Sequence, residues 1–191
     1  MIQPVDLGIC HGYEYDGDPA RTAVILPGAM LAGMPVHAFA QQGLTAAGWR
    51  VVQVWDEFLD RSQDANQWVR DRLAAAVRHA SDARRILVVG KSLSTRAAAD
   101  AADYEWPGIW LTPLLDDAES VAALRRRTAP ALLIGGTADP TWNGRTAREI
   151  SDDVLELEGA DHGLARIEHL QQIRDAVEAF AARVGVPQPD P

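Results

Sequence analysis

The stretch Val88-Val89-Gly90-Lys91-Ser92-Leu93-Ser94-Thr95 decides how this chain is read. A β-branched run breaks into Gly-Lys-Ser and then into an Ala-rich segment. That pattern predicts a strand, a sharp turn and a helix, with Ser92 at the apex of the turn. Two later segments, Gly135-Gly136-Thr137-Ala138-Asp139-Pro140 and Gly159-Ala160-Asp161-His162-Gly163, also follow short apolar runs of strand character. Ser92, Asp139 and His162 therefore each stand just beyond a strand, in the chain order nucleophile, acid, base.

Working outward, strand-like runs recur at Val5–Cys10, Thr22–Leu26, Arg50–Trp55, Arg85–Val89, Gly108–Thr112, Ala131–Ile134 and Asp153–Leu157. Several are continuously apolar, as expected of strands buried on both faces of a parallel sheet. Tyr13–Tyr15 reads as a continuation of the first strand into a hairpin, with residues 16–19 as the turn. Helical patterns fill the gaps. Pro35 suits the first turn of a helix that Gly48 closes. Asp64 caps the next, in which Ala65, Val69, Leu73 and Val77 recur every four residues. Further helices are expected over Thr95–Tyr104, Asp117–Arg127, Arg145–Ile150 and Arg166–Val184. Alternating strands and helices with right-handed crossovers give a three-layer α/β/α sandwich around a mostly parallel sheet of about seven strands. One domain over residues 1–186 and a frayed tail over 187–191 are expected. Only Pro113-Leu114-Leu115 separates the Thr112 strand from Asp116, which leaves no room for a lid domain.

The chain of 191 residues carries 18 Lys plus Arg against 27 Asp plus Glu, a net charge of −9. Such a surface argues against nucleic-acid or anionic-membrane partners. The run Arg125-Arg126-Arg127 sits where a helix should end, and cations there complement its dipole. Cys10 is the single cysteine, so no intrachain disulfide forms. No Cys/His metal cluster or cofactor motif is visible, so neither a metal nor a cofactor is expected. The N-terminal residues lack the pattern of a signal peptide, and no apolar run approaches a membrane span. A cytoplasmic protein acting on a small molecule is the expectation.

A serine hydroxyl is a poor nucleophile unless a base stands within hydrogen-bond reach and a third group orients that base. The turn at Ser92 needs small neighbours because strand and helix pass close together. Gly90 supplies one; Ser94 stands where a second glycine is usual. Taken alone, Ser92 reads equally well as a helix N-cap. Asp139, before Pro140, reads as the acid or as an Asp-Pro turn. Asp116 and Asp117, after the preceding strand, are the alternative acids. Asp161 reads as a loop-shaping residue, and His162 lies at a strand's C-terminal end, where α/β sheets bind ligands. The oxyanion of an acyl-transfer intermediate needs two donors. Leu93 N–H is one candidate, and Ala29 or Met30, on the loop after the Thr22–Leu26 strand, is the other. Gly28, Trp142 and His37 are candidates for the substrate pocket, His37 with partial burial on a helix as its alternative. His79 and His169 read as surface residues. Lys91 and Arg96 flank the serine turn and read as salt-bridging residues on a solvated face, with preference for an acidic substrate as the alternative, and Trp49, Trp55, Trp68 and Trp106 read as packing residues.

The motifs Leu26-Pro27-Gly28, Gly90-Lys91-Ser92-Leu93-Ser94, Thr112-Pro113-Leu114, residues 136–140 and residues 159–164 together resemble the α/β-hydrolase superfamily over essentially the whole chain. Within it the sequence is similar to small lidless members of the testis-expressed-30 type and to dienelactone hydrolases. The resemblance implies Ser92 as nucleophile, Asp139 as acid and His162 as base. Dienelactone hydrolases use a cysteine nucleophile, and this chain has serine. The implied reaction is hydrolysis of a carboxylic ester, or a related acyl bond, of a small soluble substrate. Thioester or peptide cleavage on the same triad, and ligand binding without catalysis, are the alternatives.

Overall fold

Short apolar runs of Val, Ile and Leu are stable as strands only if helices cover both faces of their sheet. The computed structural model of the chain is built in this way. It describes residues 1–30 and 32–186; the tail expected to fray, 187–191, lies outside the described residues. The elements are β1 (Ile2–Asp6), β2 (His11–Tyr15), β3 (Asp18–Leu26), α1 (Pro35–Ala46), β4 (Trp49–Trp55), α2 (Ala65–His79), β5 (Arg85–Lys91), a 3-10 segment (Ser92–Ala97), α3 (Ala98–Asp103), β6 (Gly108–Leu111), α4 (Ala118–Arg126), β7 (Ala131–Gly136), α5 (Gly144–Ile150), β8 (Asp153–Leu157) and α6 (Ile167–Gly185). Among the described residues the strands form one eight-stranded sheet in the order β1, β2, β4, β3, β5, β6, β7, β8. β1 pairs with β2, and β2 with β4, antiparallel; every pair from β4 across to β8 is parallel.

The sheet has one strand more than expected, because the Val5–Cys10 run is not continuous. The Asp6 carboxylate accepts from Gly8 N, Gly8 adopts a φ of 84°, and Leu7 N donates to Cys10 O. The chain therefore reverses over Leu7–Cys10, and Tyr13–Tyr15 belong to the returning strand. The hairpin turn lies nine residues earlier than the 16–19 segment. A second difference is the helix expected over Thr95–Tyr104. Its first turn starts at Ser92 and is wound as 3-10, with Thr95 Oγ1 donating to Ser92 O at 2.6 Å.

Side chains alternate across each strand, and the alternation sorts the core into two layers. Val24, Val52, Val88, Trp110 and Leu133 face α2, α3, α4 and α5. Ile25, Val51, Val89, Ile109 and Ile134 face α1 and α6. Trp49 and Trp68 are buried as expected. Trp55 is 44% exposed and meets the edge of Tyr13 with ring centroids 5.2 Å apart. His169, expected at the surface, is buried: it precedes Ile173 and Val177 at four-residue spacing and shares their inward face. The Arg125–Arg127 run closes α4. Arg127 donates to Leu124 O and Ile150 O, while Arg125 and Arg126 pair with Glu149 and Asp103. Six residues, 112–117, join β6 to α4, so the fold carries no lid domain there. Among the described residues no helix is long and apolar enough to cross a membrane.

The layer of α1 and α6 depends on one close approach. A methyl group at Gly43 would lie 2.5 Å from Arg174 O and 3.1 Å from Glu178 N, both backbone atoms of α6. Helix backbone cannot rotate away as a side chain can. Gly43→Ala should therefore destabilise the fold by about 1–3 kcal/mol through overpacking, against a gain of only ~1 kcal/mol in helix propensity. Urea unfolding midpoints of the two proteins check this.

Candidate active site

The parallel strands β5, β6, β7 and β8 deliver their C-terminal ends to one edge of the sheet, and the sequence-predicted residues meet there. Ser92 follows β5 directly. Its φ of 50° places it in the left-handed region, which costs a non-glycine residue of order 1 kcal/mol and persists only where neighbours enforce it. The enforcement is visible. Any side chain at position 90 would meet the Ser94 carbonyl oxygen at 2.6 Å and the Trp110 ring at 2.8 Å. Only glycine lets the turn fold back this tightly on its own strand. Ser94 is fully buried, and its hydroxyl donates to Pro27 O at 2.5 Å. A hydroxyl at this position thus ties the serine turn to the loop after β3, a bond that glycine could not make.

Ser92 Oγ and His162 Nε2 are 2.8 Å apart, and His162 Nδ1 lies 2.8 Å from Asp139 Oδ2. The tautomer protonated on Nδ1 satisfies both contacts: Nδ1–H donates to the carboxylate, and Nε2 accepts from the serine hydroxyl. The Asp139 carboxylate is fully buried. Burial pushes its carboxyl upward, but the bond from His162 and two bonds from Thr141, through N at 2.9 Å and Oγ1 at 2.8 Å, outweigh that and hold it below the usual carboxylate range. Sequence reasoning missed Thr141. Its only signal is a hydroxyl two residues after an aspartate, a common local turn pattern. Of the alternative acids, Asp117 caps α4 by accepting from Ser120 N and Ser120 Oγ, and Asp116 is exposed. Asp161 shapes the loop as expected: its side chain accepts from Gly163 N and its carbonyl from Leu164 N.

A side chain at Gly28 would begin 3.7 Å from Ser92 Cβ, so the loop after β3 borders the serine. Ala29 O accepts from Phe58 N at 3.1 Å, which pins this loop to the segment after β4. Met30 is 58% exposed beside it, and Leu93 follows Ser92 in the 3-10 turn. Trp142 lies flat on Gly135 and donates to Glu156 Oε2 at 2.8 Å, where it packs with the α2–α5 layer. His37 is fully buried in α1. A backbone hydrogen bond at Ala32 favours the charged imidazole. Burial first, and the charge of Lys91 second, push its imidazole down to about 4.

Lys91 overturns an expectation. It is fully buried, and its Nζ donates to Thr112 Oγ1 and to His162 O, both at 2.9 Å. Arg96 keeps to the solvated side, bonded to Asn66 and paired with Glu119 at 3.5 Å. A lysine at the end of a strand reads as exposed in isolation. Here β5 lies in the middle of the sheet, with neighbours on both sides.

Solved structures share this architecture. An α/β serine hydrolase homologue from Coxiella burnetii is 16% identical, covers 94% of this chain and 96% of its own, and superposes with a TM-score of 0.71. A serine hydrolase without a lid from Xanthomonas campestris is 17% identical over 100% of this chain and 96% of its own, with a TM-score of 0.71. The fold is that of the α/β-hydrolases. Est1E of Butyrivibrio proteoclasticus, solved with ferulic acid bound, is 14% identical, covers 95% and 98%, and gives a TM-score of 0.75. A dienelactone hydrolase from Anabaena variabilis also matches, at 15% identity and a TM-score of 0.71. Nothing in these likenesses singles out the testis-expressed-30 type. No family model matches the chain, and no curated protein sequence does.

His37 gives the α/β-hydrolase fold a testable acid sensitivity. Its folded value of about 4 lies below the ordinary 6.5. The unfolded chain therefore takes up the proton first: stability is fully present above pH 6.5 and is lost as the pH falls towards 4. The loss attributable to His37 is up to about 3 kcal/mol. His37→Leu should flatten the decline of urea unfolding midpoints across that window.

Proposed function

We propose that the chain is a serine hydrolase that cleaves a carboxylic ester of a small soluble substrate through an acyl-enzyme. One observation carries this reading: a serine in left-handed backbone lies 2.8 Å from an imidazole that is itself 2.8 Å from a buried carboxylate. His162 takes the Ser92 proton as Oγ attacks the acyl carbon, and it passes that proton to the departing alcohol. Asp139 keeps the imidazole in the Nδ1-protonated tautomer and stabilises the imidazolium that forms. Water, activated by the same histidine, then releases the acid and restores Ser92. The oxyanion would be met by the N–H of Leu93, at the start of the 3-10 turn, and by the N–H of Ala29 or Met30 across the serine. Removal of one such donor costs on the order of 3 kcal/mol in the transition state.

Ser92→Ala should abolish labelling by a fluorophosphonate probe while the circular dichroism spectrum is unchanged. Asp139→Asn and His162→Ala should each lower kcat by ~10³–10⁴, with the double variant far from additive because the groups act as a unit. Asp116→Asn should leave the rate unchanged. A wild-type protein that neither labels nor turns over an ester panel would refute the hydrolase reading in favour of a binding protein.

The short 112–117 connection supports an open cleft, and an open cleft desolvates only part of a long chain. Burial contributes about 0.8 kcal/mol for each methylene covered, so kcat/KM should plateau at short acyl groups and show no jump at the onset of micelles. Est1E binds ferulic acid, an aromatic acid, so aryl esters belong in the same series. Rates that climb steadily through long-chain esters would contradict the open cleft.

A further inference from the structure

Lys91 is the only lysine among the chain's 18 basic residues. Every arginine among the described residues keeps some exposure, whereas Lys91 is buried. A lone ammonium enclosed in protein carries a large desolvation cost unless its surroundings compensate. The compensation comes from the candidate active site itself. Thr112 Oγ1 faces Nζ from the end of β6, and His162 O faces it from the loop between β8 and α6. The carboxylates of Asp139, after β7, and Asp161, in the β8–α6 loop, favour its charge, and His37 feels that charge from α1.

Two further observations show what this arrangement holds. Thr112 is β-branched yet has a φ of 44°, a conformation that such residues rarely adopt and that its surroundings must enforce. In the 161–164 segment, the hydrogen bonds of Gly163 N and Leu164 N close on Asp161, inside the segment. Among the described residues, the main-chain bond from this segment to the sheet is the one from Lys91 to His162 O. We propose that Lys91 is a positioning residue, whose ammonium clamps the main chain of His162 to Thr112 and keeps the imidazole in line between Asp139 and Ser92. An ammonium suits the place because its donors radiate from one compact centre, whereas a guanidinium is larger and planar.

The clamp is sensitive to pH. Burial, opposed in part by Asp139 and Asp161, brings the ammonium down to about 8. Below that pH both bonds are charge-assisted. As the pH rises through about 8 the charge is lost, the clamp weakens, and turnover falls to a lower plateau.

The inference rests on the hydrolase reading of Ser92, Asp139 and His162, and its test separates the two. Ester hydrolysis is followed from pH 6.5 to 10 for the wild type, Lys91→Met and Thr112→Val. At pH 7 Lys91→Met should lose about tenfold in kcat with KM little changed, short of the ~100-fold that misplacement by about 1 Å costs. It should also lack the alkaline step, and Thr112→Val should fall in the same direction by less. Selective 15N labelling of lysine gives a single Nζ signal, whose midpoint should coincide with the wild-type step. A Lys91→Met rate within about twofold of wild type, or a step that persists in that variant, overturns the clamp. If Lys91→Met does not fold, Thr112→Val and the Nζ midpoint decide. If the wild type has no hydrolytic activity, the hydrolase reading fails. The clamp is then judged by the His162 Nδ1–H signal, whose exchange with solvent should quicken in the variants and would overturn the clamp if unchanged.

Discussion

The Ser94 carbonyl lies where any side chain at position 90 would have to be, and this exclusion shapes the end of β5. With glycine there, the chain can double back at once and hold Ser92 in left-handed backbone clear of the sheet. Without it, strand and helix would separate, and the hydroxyl would lose its direction. The Ser94–Pro27 bond extends the same constraint sideways, so that the serine turn and the loop after β3 are fixed relative to one another. Preorganisation of this kind precedes chemistry, since donors help an oxyanion only if they already point at it.

The rest of the site follows from parallel strands. β5, β7 and β8 end at one edge, so three residues far apart in sequence converge, and bonds such as Ala138 N to Ala160 O tie the loops that carry them. β6 contributes at the same edge through Thr112. Left-handed backbone occurs at both Ser92 and Thr112, at the ends of adjacent strands, and in each case it turns a hydroxyl towards the histidine or the group that supports it. Left-handed backbone thus occurs where these side chains act, as it also does at Glu105, before β6.

Much of this was legible in the sequence. The order of Ser92, Asp139 and His162 beyond apolar runs is a local signal repeated three times, and parallel topology converts it directly into proximity. The helix stripes were legible for the same reason, since Ile173 and Val177 in α6 fix an inward face. That face should also have flagged His169, which shares the spacing and was misplaced because histidine is usually polar enough to stay out. Lys91 was not legible. Its burial comes from the position of β5 within the sheet and from a carbonyl seventy-one residues away, and no local pattern carries either. The break at Leu7–Cys10 lay in between: the signal was Asp6 ahead of Gly8, and a run of apolar residues masked it.

A lone lysine inside the protein has one more consequence. A protease that cuts only after lysine has a single target in this chain, the bond between Lys91 and Ser92. That bond joins a strand paired on both sides to the serine turn, so no fraying end or surface loop can offer it to a protease. Cleavage requires the centre of the sheet to come apart. Under conditions where reclosing outpaces cutting, the rate of that one cut is a direct gauge of the unfolded population, read as two fragments of nearly equal length.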